Sequence, residues 1–138
     1  MTPFLQSKYD GAVQQSSIEV VISDPTRLTY QLPDNSLLRN RQVVGVLIST
    51  NSRGSRVTPS GNTVPPASAM ESCYLTLRSV DDNIVEDYPV TDLDPTLNAG
   101  DVRCIMLSDF NPTKSNLSFG AGAGLVAGMA VNIVFYYI

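Results

Sequence analysis

Histidine and tryptophan are both missing from this chain of 138 residues. The absence of histidine removes the commonest general base, the usual activator of a serine or cysteine nucleophile and the usual zinc partner. A histidine-dependent triad is therefore excluded, and no G-x-S-x-G elbow occurs. Without tryptophan, a sugar-binding platform lacks its largest aromatic. Cysteine is scarce: Cys73 and Cys104 are the only two, and no C-x-x-C pair exists. Each lies in an apolar, strand-like run, so both are expected to be small core residues, with a disulfide as the alternative.

Charge is also thin. Charged residues make up 16% of the chain against 43% hydrophobic, a lean surface that suggests cover by neighbouring subunits. The net charge is −4, and the nine Lys and Arg are scattered from Lys8 to Lys114 without a stripe. Nucleic-acid binding through counterion release is therefore not expected. The first residues, MTPFLQSKYDGAVQQ, have neither the basic nor the apolar region of a secretory signal, so synthesis in a reducing cytosol is expected.

What the chain does have is period-two patterning. Ile18, Val20 and Ile22 share one side of a first strand closed by Asp24-Pro25, and Arg27 to Leu32 reads as a second strand. The near-continuous apolar run Gln42 to Thr50 reads as a third, buried on both faces. Further strands are expected at Ser72 to Ser79, Ile84 to Tyr88, Val102 to Leu107 and Asn116 to Phe119. No amphipathic helical window of useful length and no fixed-period repeat interrupts this series. Residues 1–16 read as an N-terminal arm and 17–138 as a single domain, within which 51–70, rich in proline, glycine and hydroxyls, is a long loop.

The uncharged stretch from Phe119 to Ile138 is long enough for a membrane-spanning helix, and Gly120, Gly124 and Gly128 keep the G-x-x-x-G spacing of packed membrane helices. No Lys or Arg follows it, and Asn132 would fall inside the apolar layer. From Met129 the side chains alternate instead: Met129, Val131, Ile133, Phe135 and Tyr137 fall on one side, Ala130, Asn132, Val134, Tyr136 and Ile138 on the other. Residues 129–138 are therefore read as the closing strand and 120–128 as a loop or close-packed backbone. With that strand the expected fold is all-β, an eight-stranded antiparallel β-sandwich of jelly-roll type.

Chemistry is harder to find. Asp81, Asp82, Glu86, Asp87, Asp92, Asp94 and Asp101 gather seven of the thirteen carboxylates. Paired carboxylates suit glycoside hydrolysis and oxygen-rich loops suit calcium. DLDPTLNAGD lacks the spacing of an EF-hand loop, however, and a solvated loop face is the expected reading. The glycines at 120, 122 and 124 precede no Lys-Ser or Lys-Thr pair, so no phosphate cradle is expected. No catalytic, cofactor-binding or metal-binding residue is assigned, and no enzyme is expected.

The order of types from Tyr74 onward, YLTLRSVDDNIVEDYPVTDL and later SDFNPTKSNLSF with a terminal aromatic strand, resembles small virion proteins of tailless icosahedral bacteriophages that enclose a membrane. The matching positions are Leu75, Leu77, Asp81 to Asn83, Val85, Pro89, Leu93 and Met129 to Ile138. The resemblance implies a single jelly-roll capsid protein, at a vertex (penton) or a minor position. Its partners would be its own copies, as a pentamer, and other capsid proteins close to a viral membrane, in a virion assembled in host cytoplasm. Two alternatives stand beside it: a carbohydrate- or receptor-binding sandwich such as a spike module, with Tyr30, Tyr74 and Tyr88 as stacking residues, and a membrane-anchored virion protein.

Overall fold

The computed structural model describes residues 12–48, 57–80, 85–94, 102–121 and 124–138. Its strands are β1 (Gln14–Val21), β2 (Thr29–Gln31), β3 (Val43–Ile48), β4 (Tyr74–Arg78), β5 (Val85–Pro89), β6 (Arg103–Leu107), β7 (Asn116–Ser118) and β8 (Ala130–Tyr137). They form two antiparallel four-stranded sheets with orders β1-β8-β3-β6 and β2-β7-β4-β5. An all-β sandwich is thus the architecture.

Alternation explains why these segments pair. Ile18, Val20, Val131, Ile133, Phe135, Val46 and Ile48 turn inward from the first sheet, and Tyr30, Leu75, Leu77 and Leu117 meet them from the second. Burying each such side chain is worth about 1.5–3 kcal/mol relative to exposure, which makes this shared layer the main stabilising element. The last stretch of the chain is the centre of that layer. β8 pairs with β1 along its whole length and with β3 on its other side, so residues 130–137 form a strand. No helix among the described residues is long and apolar enough to cross a membrane.

Phe110 joins the two sheets at one end. Its N–H donates to Arg41 O (3.1 Å) ahead of β3, and its C=O accepts from Asn40 N (2.9 Å). A bridge to Ser79 ties it to the end of β4. Its ring meets that of Phe135 at 5.1 Å between centroids, a contact worth about 0.5–1.5 kcal/mol beyond burial. Asn40 and Asp109 beside it take positive φ (63° and 53°), the left-handed region these short polar side chains tolerate.

Two boundaries differ from the sequence reading. β1 begins at Gln14, so residues 14–16 of the expected arm lie opposite Tyr137, Tyr136 and Phe135; residues 1–11 lie outside the described residues. Gln14, Gln15 and Ser16 carry no apolar alternation because they line the sheet edge, and the length of β8 extends the pairing. Within the expected loop 51–70, residues 51–56 lie outside the described residues, but Val57 bridges Thr63 and a helix, α1 (Ala67–Glu71), follows Pro66. Five residues are too few to display a helical period, yet Ala69 and Met70 are buried in the core.

Residues 120–128, of which 122 and 123 lie outside the described residues, were expected as a loop or close-packed backbone, and the described ones carry no helix or strand. Gly128 N donates to Ile22 O (2.9 Å) and Ile22 N to Met129 O (2.7 Å), so the approach to β8 is tied to the end of β1. Gly120 is a close-approach position: a Cβ there would stand 2.8 Å from Ser72 Cβ, and its N–H donates to Ser72 Oγ (3.2 Å).

Candidate functional site

The two outer faces of the sandwich are chemically unlike. On the first sheet, the outward positions of β8 are Ala130, Asn132, Val134 and Tyr136, with Ile138 continuing the same phase just past its end. Between Val43 and Gly45 the register of β3 shifts against β8, from Tyr137 to Tyr136, so β3 spends an extra residue there. The extra residue is Val44, which is buried against Tyr136, Val13 and Val102, with Leu47, Val134 and Ile138 packed around them. A glycine beside the bulge fits the tighter local twist. This bulge explains why Val43, Val44 and Val46 are all buried, as the apolar run of β3 predicts.

Toward the β6 edge the same outer face remains open. Met106 is 66% exposed and Cys104 is exposed beside it. Cys104 was expected in the core; it instead lies on the outward phase of β6, between inward-pointing Ile105 and the exposed Arg103. Cys73 is fully buried, and the two thiols are not joined in a disulfide. Burial pushes the Cys73 thiol far above its ordinary range.

On the second sheet the outward positions are almost all polar. Thr29 lies opposite Ser118, which lies opposite Tyr74; Gln31 lies opposite Asn116, which lies opposite Thr76 and then Asp87. Thr76 Oγ1 donates to Asp87 Oδ1 at 2.5 Å. At the β2–β7 end this face deepens into a groove of about 530 Å³ lined by Arg27, Thr29, Gln31, Thr113, Lys114, Ser115 and Asn116. None of these seven side chains is a carboxylate, although the chain as a whole is acidic.

Of the acidic residues singled out from the sequence, Asp81, Asp82 and Asp101 lie outside the described residues. Glu86 and Asp87 are exposed on β5, Asp92 is exposed in the 3-10 turn Val90–Leu93, and Asp94 just beyond it is fully buried. Asp94 departs from the solvated loop face that the sequence suggests. Among the described residues no group of three or more His, Cys, Asp or Glu is placed to hold a metal. The three tyrosines also separate: Tyr30 is 2% exposed and belongs to the core, Tyr88 is half-buried against it, and only Tyr74 stands out at 50%.

Elsewhere a carboxylate has a structural task. Glu19, on the outward phase of β1, accepts hydrogen bonds from Thr58, Ser60 and Asn62, which hold it below the ordinary glutamate range. Those bonds tie the turn after Val57 onto the first sheet. The groove residues escape sequence inspection because they come from two distant segments, Arg27 to Gln31 and Thr113 to Asn116. Their only signal is the polar alternate phase of T-x-Q and the hydroxyl- and amide-rich run from Thr113 to Asn116, which reads equally as ordinary surface. Comparison of the chain with protein-family models, curated proteins and solved structures finds no match.

Proposed function

We propose that this chain is a structural subunit of a virion shell, built on a jelly roll. The observation that carries the reading is the pairing pattern. β1 pairs with β8, β2 with β7, β3 with β6 and β4 with β5. Four such pairs follow from folding the chain once into a long hairpin. Alternate pairs then go to opposite sheets and are joined laterally through β3·β8 and β4·β7. Rolling one hairpin in this way is the jelly-roll wrapping, the all-β arrangement with two Greek keys that recurs in capsid domains.

Fold alone does not assign a role. Support for assembly comes from the surface: low charge, and an outer face of the first sheet where Leu47, Val134 and Ile138 are half-buried and Met106 is open. Such a face fits contact with other copies and with neighbouring shell proteins, in the closed symmetric arrangement that repeated subunits adopt. A pentamer at a vertex is the arrangement we favour. Native mass spectrometry of the full chain tests it: a closed oligomer, five copies on the vertex assignment, supports the reading, and a monomer at all accessible concentrations opposes it.

A further inference from the structure

We infer that the apolar outer face of the first sheet receives the N-terminal segment of a second copy, residues 1–11, through Phe4 and Leu5. The inference rests on the shell reading above and names the segment by which one subunit would hold the next.

The face gathers where the described chain begins. Val13, just ahead of β1, is buried with Val44, Val102 and Tyr136. Ala12 before it is exposed, so the chain enters the described domain at the margin of this cluster. β6 is the outermost strand on the far side of the sheet. Its Leu107 lies opposite Val43 and its Cys104 opposite Gly45, which places Ile105 and Met106 across from Val44, with Met106 on the outward phase. Met106 is 66% exposed in the single chain. An occupant of this spot therefore comes from another molecule. Continuity with an apolar cluster, rather than exposure alone, marks a contact surface.

The residues ahead of Ala12 supply a matching occupant in their sequence. Met1 to Ser7 carry no charged side chain, and Phe4 and Leu5 are adjacent large apolar residues near the tip. Gln6 to Gly11 is mostly polar and ends in glycine, a composition that suits a tether. Extended, a segment of this length reaches about 35 Å, more than twice the breadth of about 15 Å across a four-stranded sheet. It is long enough to leave its own domain and lie on a neighbour's. Passed head to tail from copy to copy, one such contact repeats until a ring closes. Direct packing of two faces would use Met106 and leave the segment idle.

The test uses two full-length variants and their mixture, followed by native mass spectrometry. Phe4→Ser with Leu5→Ser spoils the segment and keeps the face, whereas Met106→Glu spoils the face and keeps the segment. Each alone is expected to stay monomeric at about ten times the concentration at which the wild type assembles. Mixed, they should form a one-to-one heterodimer and nothing larger, since one intact segment meets one intact face. A synthetic peptide of residues 1–11 in excess should dissociate the wild-type assembly, a result that needs no variant to fold. A segment variant that assembles like wild type, or a mixture that stays monomeric, would overturn the inference and leave the shell reading standing. A wild type that stays monomeric removes the shell reading, and NMR of the labelled chain titrated with the peptide then decides. Shifts at Leu47, Met106, Val134 and Ile138 would sustain the inference, and their absence would overturn it.

Discussion

Ile18 of β1 lies directly opposite Ile133 of β8, and Ile133 is at the same time the cross-strand partner of Ile48 on β3. All three are buried. One row of isoleucines therefore joins the first strand, the last strand and the third, and closure of the fold depends on the last ten residues. Ending the chain at Gly128 should abolish folding, seen as loss of cooperative unfolding by circular dichroism. Ile133→Ala in the full chain should cost about 2–5 kcal/mol in urea melts, and Phe135→Ala, which also removes the ring contact with Phe110, about 3–5 kcal/mol. A folded, soluble product from the truncated chain would show that β8 is dispensable.

Gly120 admits no side chain while Ser72 stands where it does. Gly120→Ala should destabilise the protein by about 1–3 kcal/mol through overpacking. Adding Ser72→Gly should return part of that loss, because the atoms met first are the Ser72 Cβ and Oγ. Equal melting of the single and double variants would mean that the two segments separate at little cost.

Glu19 links stability to acidity. Its pKa is lowered in the folded protein, mainly by the Thr58 hydroxyl; burial opposes this, and hydrogen bonds from Ser60 and Asn62 add to the lowering. The stabilising contribution is therefore fully present above the ordinary glutamate value of 4.5 and is lost as pH falls through the lowered folded-state value. Glu19→Gln should flatten the acid limb of a stability-against-pH curve and leave the curve near pH 7 nearly parallel to wild type. The difference between the two proteins should shrink as the solution is acidified.

The two thiols should differ sharply in reactivity. In the native protein a disulfide reagent is expected to modify Cys104 and spare Cys73, whose thiolate is suppressed by burial. Both should react after denaturation. Cys104 and Met106 share the outward phase of β6, so in an assembled state that covers this face Cys104 should become slow to react. Met106→Glu should weaken assembly and leave the monomer's melting temperature nearly unchanged.

Much of this architecture was legible in the residues themselves. Alternation from Met129 to Ile138 identified a strand inside an apolar stretch of membrane-spanning length, because only one of its two phases is free of polar groups. The apolar run of β3 announced burial on both faces, although the bulge at Val44 that brings it about has no sequence mark beyond Gly45. Features made by distant segments stayed hidden. Met70 reaches the core from a helix too short to show a period, and Cys104 sits in an apolar run but on its outward phase. Tyr30 looks like a stacking residue until the β2–β7 register turns it inward. The groove residues fall in two stretches far apart in the chain, 27–31 and 113–116, and only the pairing of β2 with β7 brings Gln31 beside Asn116.

The most direct test of the proposed role is quantitative: the copy number of this chain in purified virus particles, with its position located by cryo-electron microscopy. The account predicts a fixed, symmetry-related number of copies in the shell, sixty for twelve five-fold vertices, with the outer face of β3, β6 and β8 at a subunit contact. A chain absent from intact particles, or present in them without fixed stoichiometry and with that face open to solvent, would contradict it.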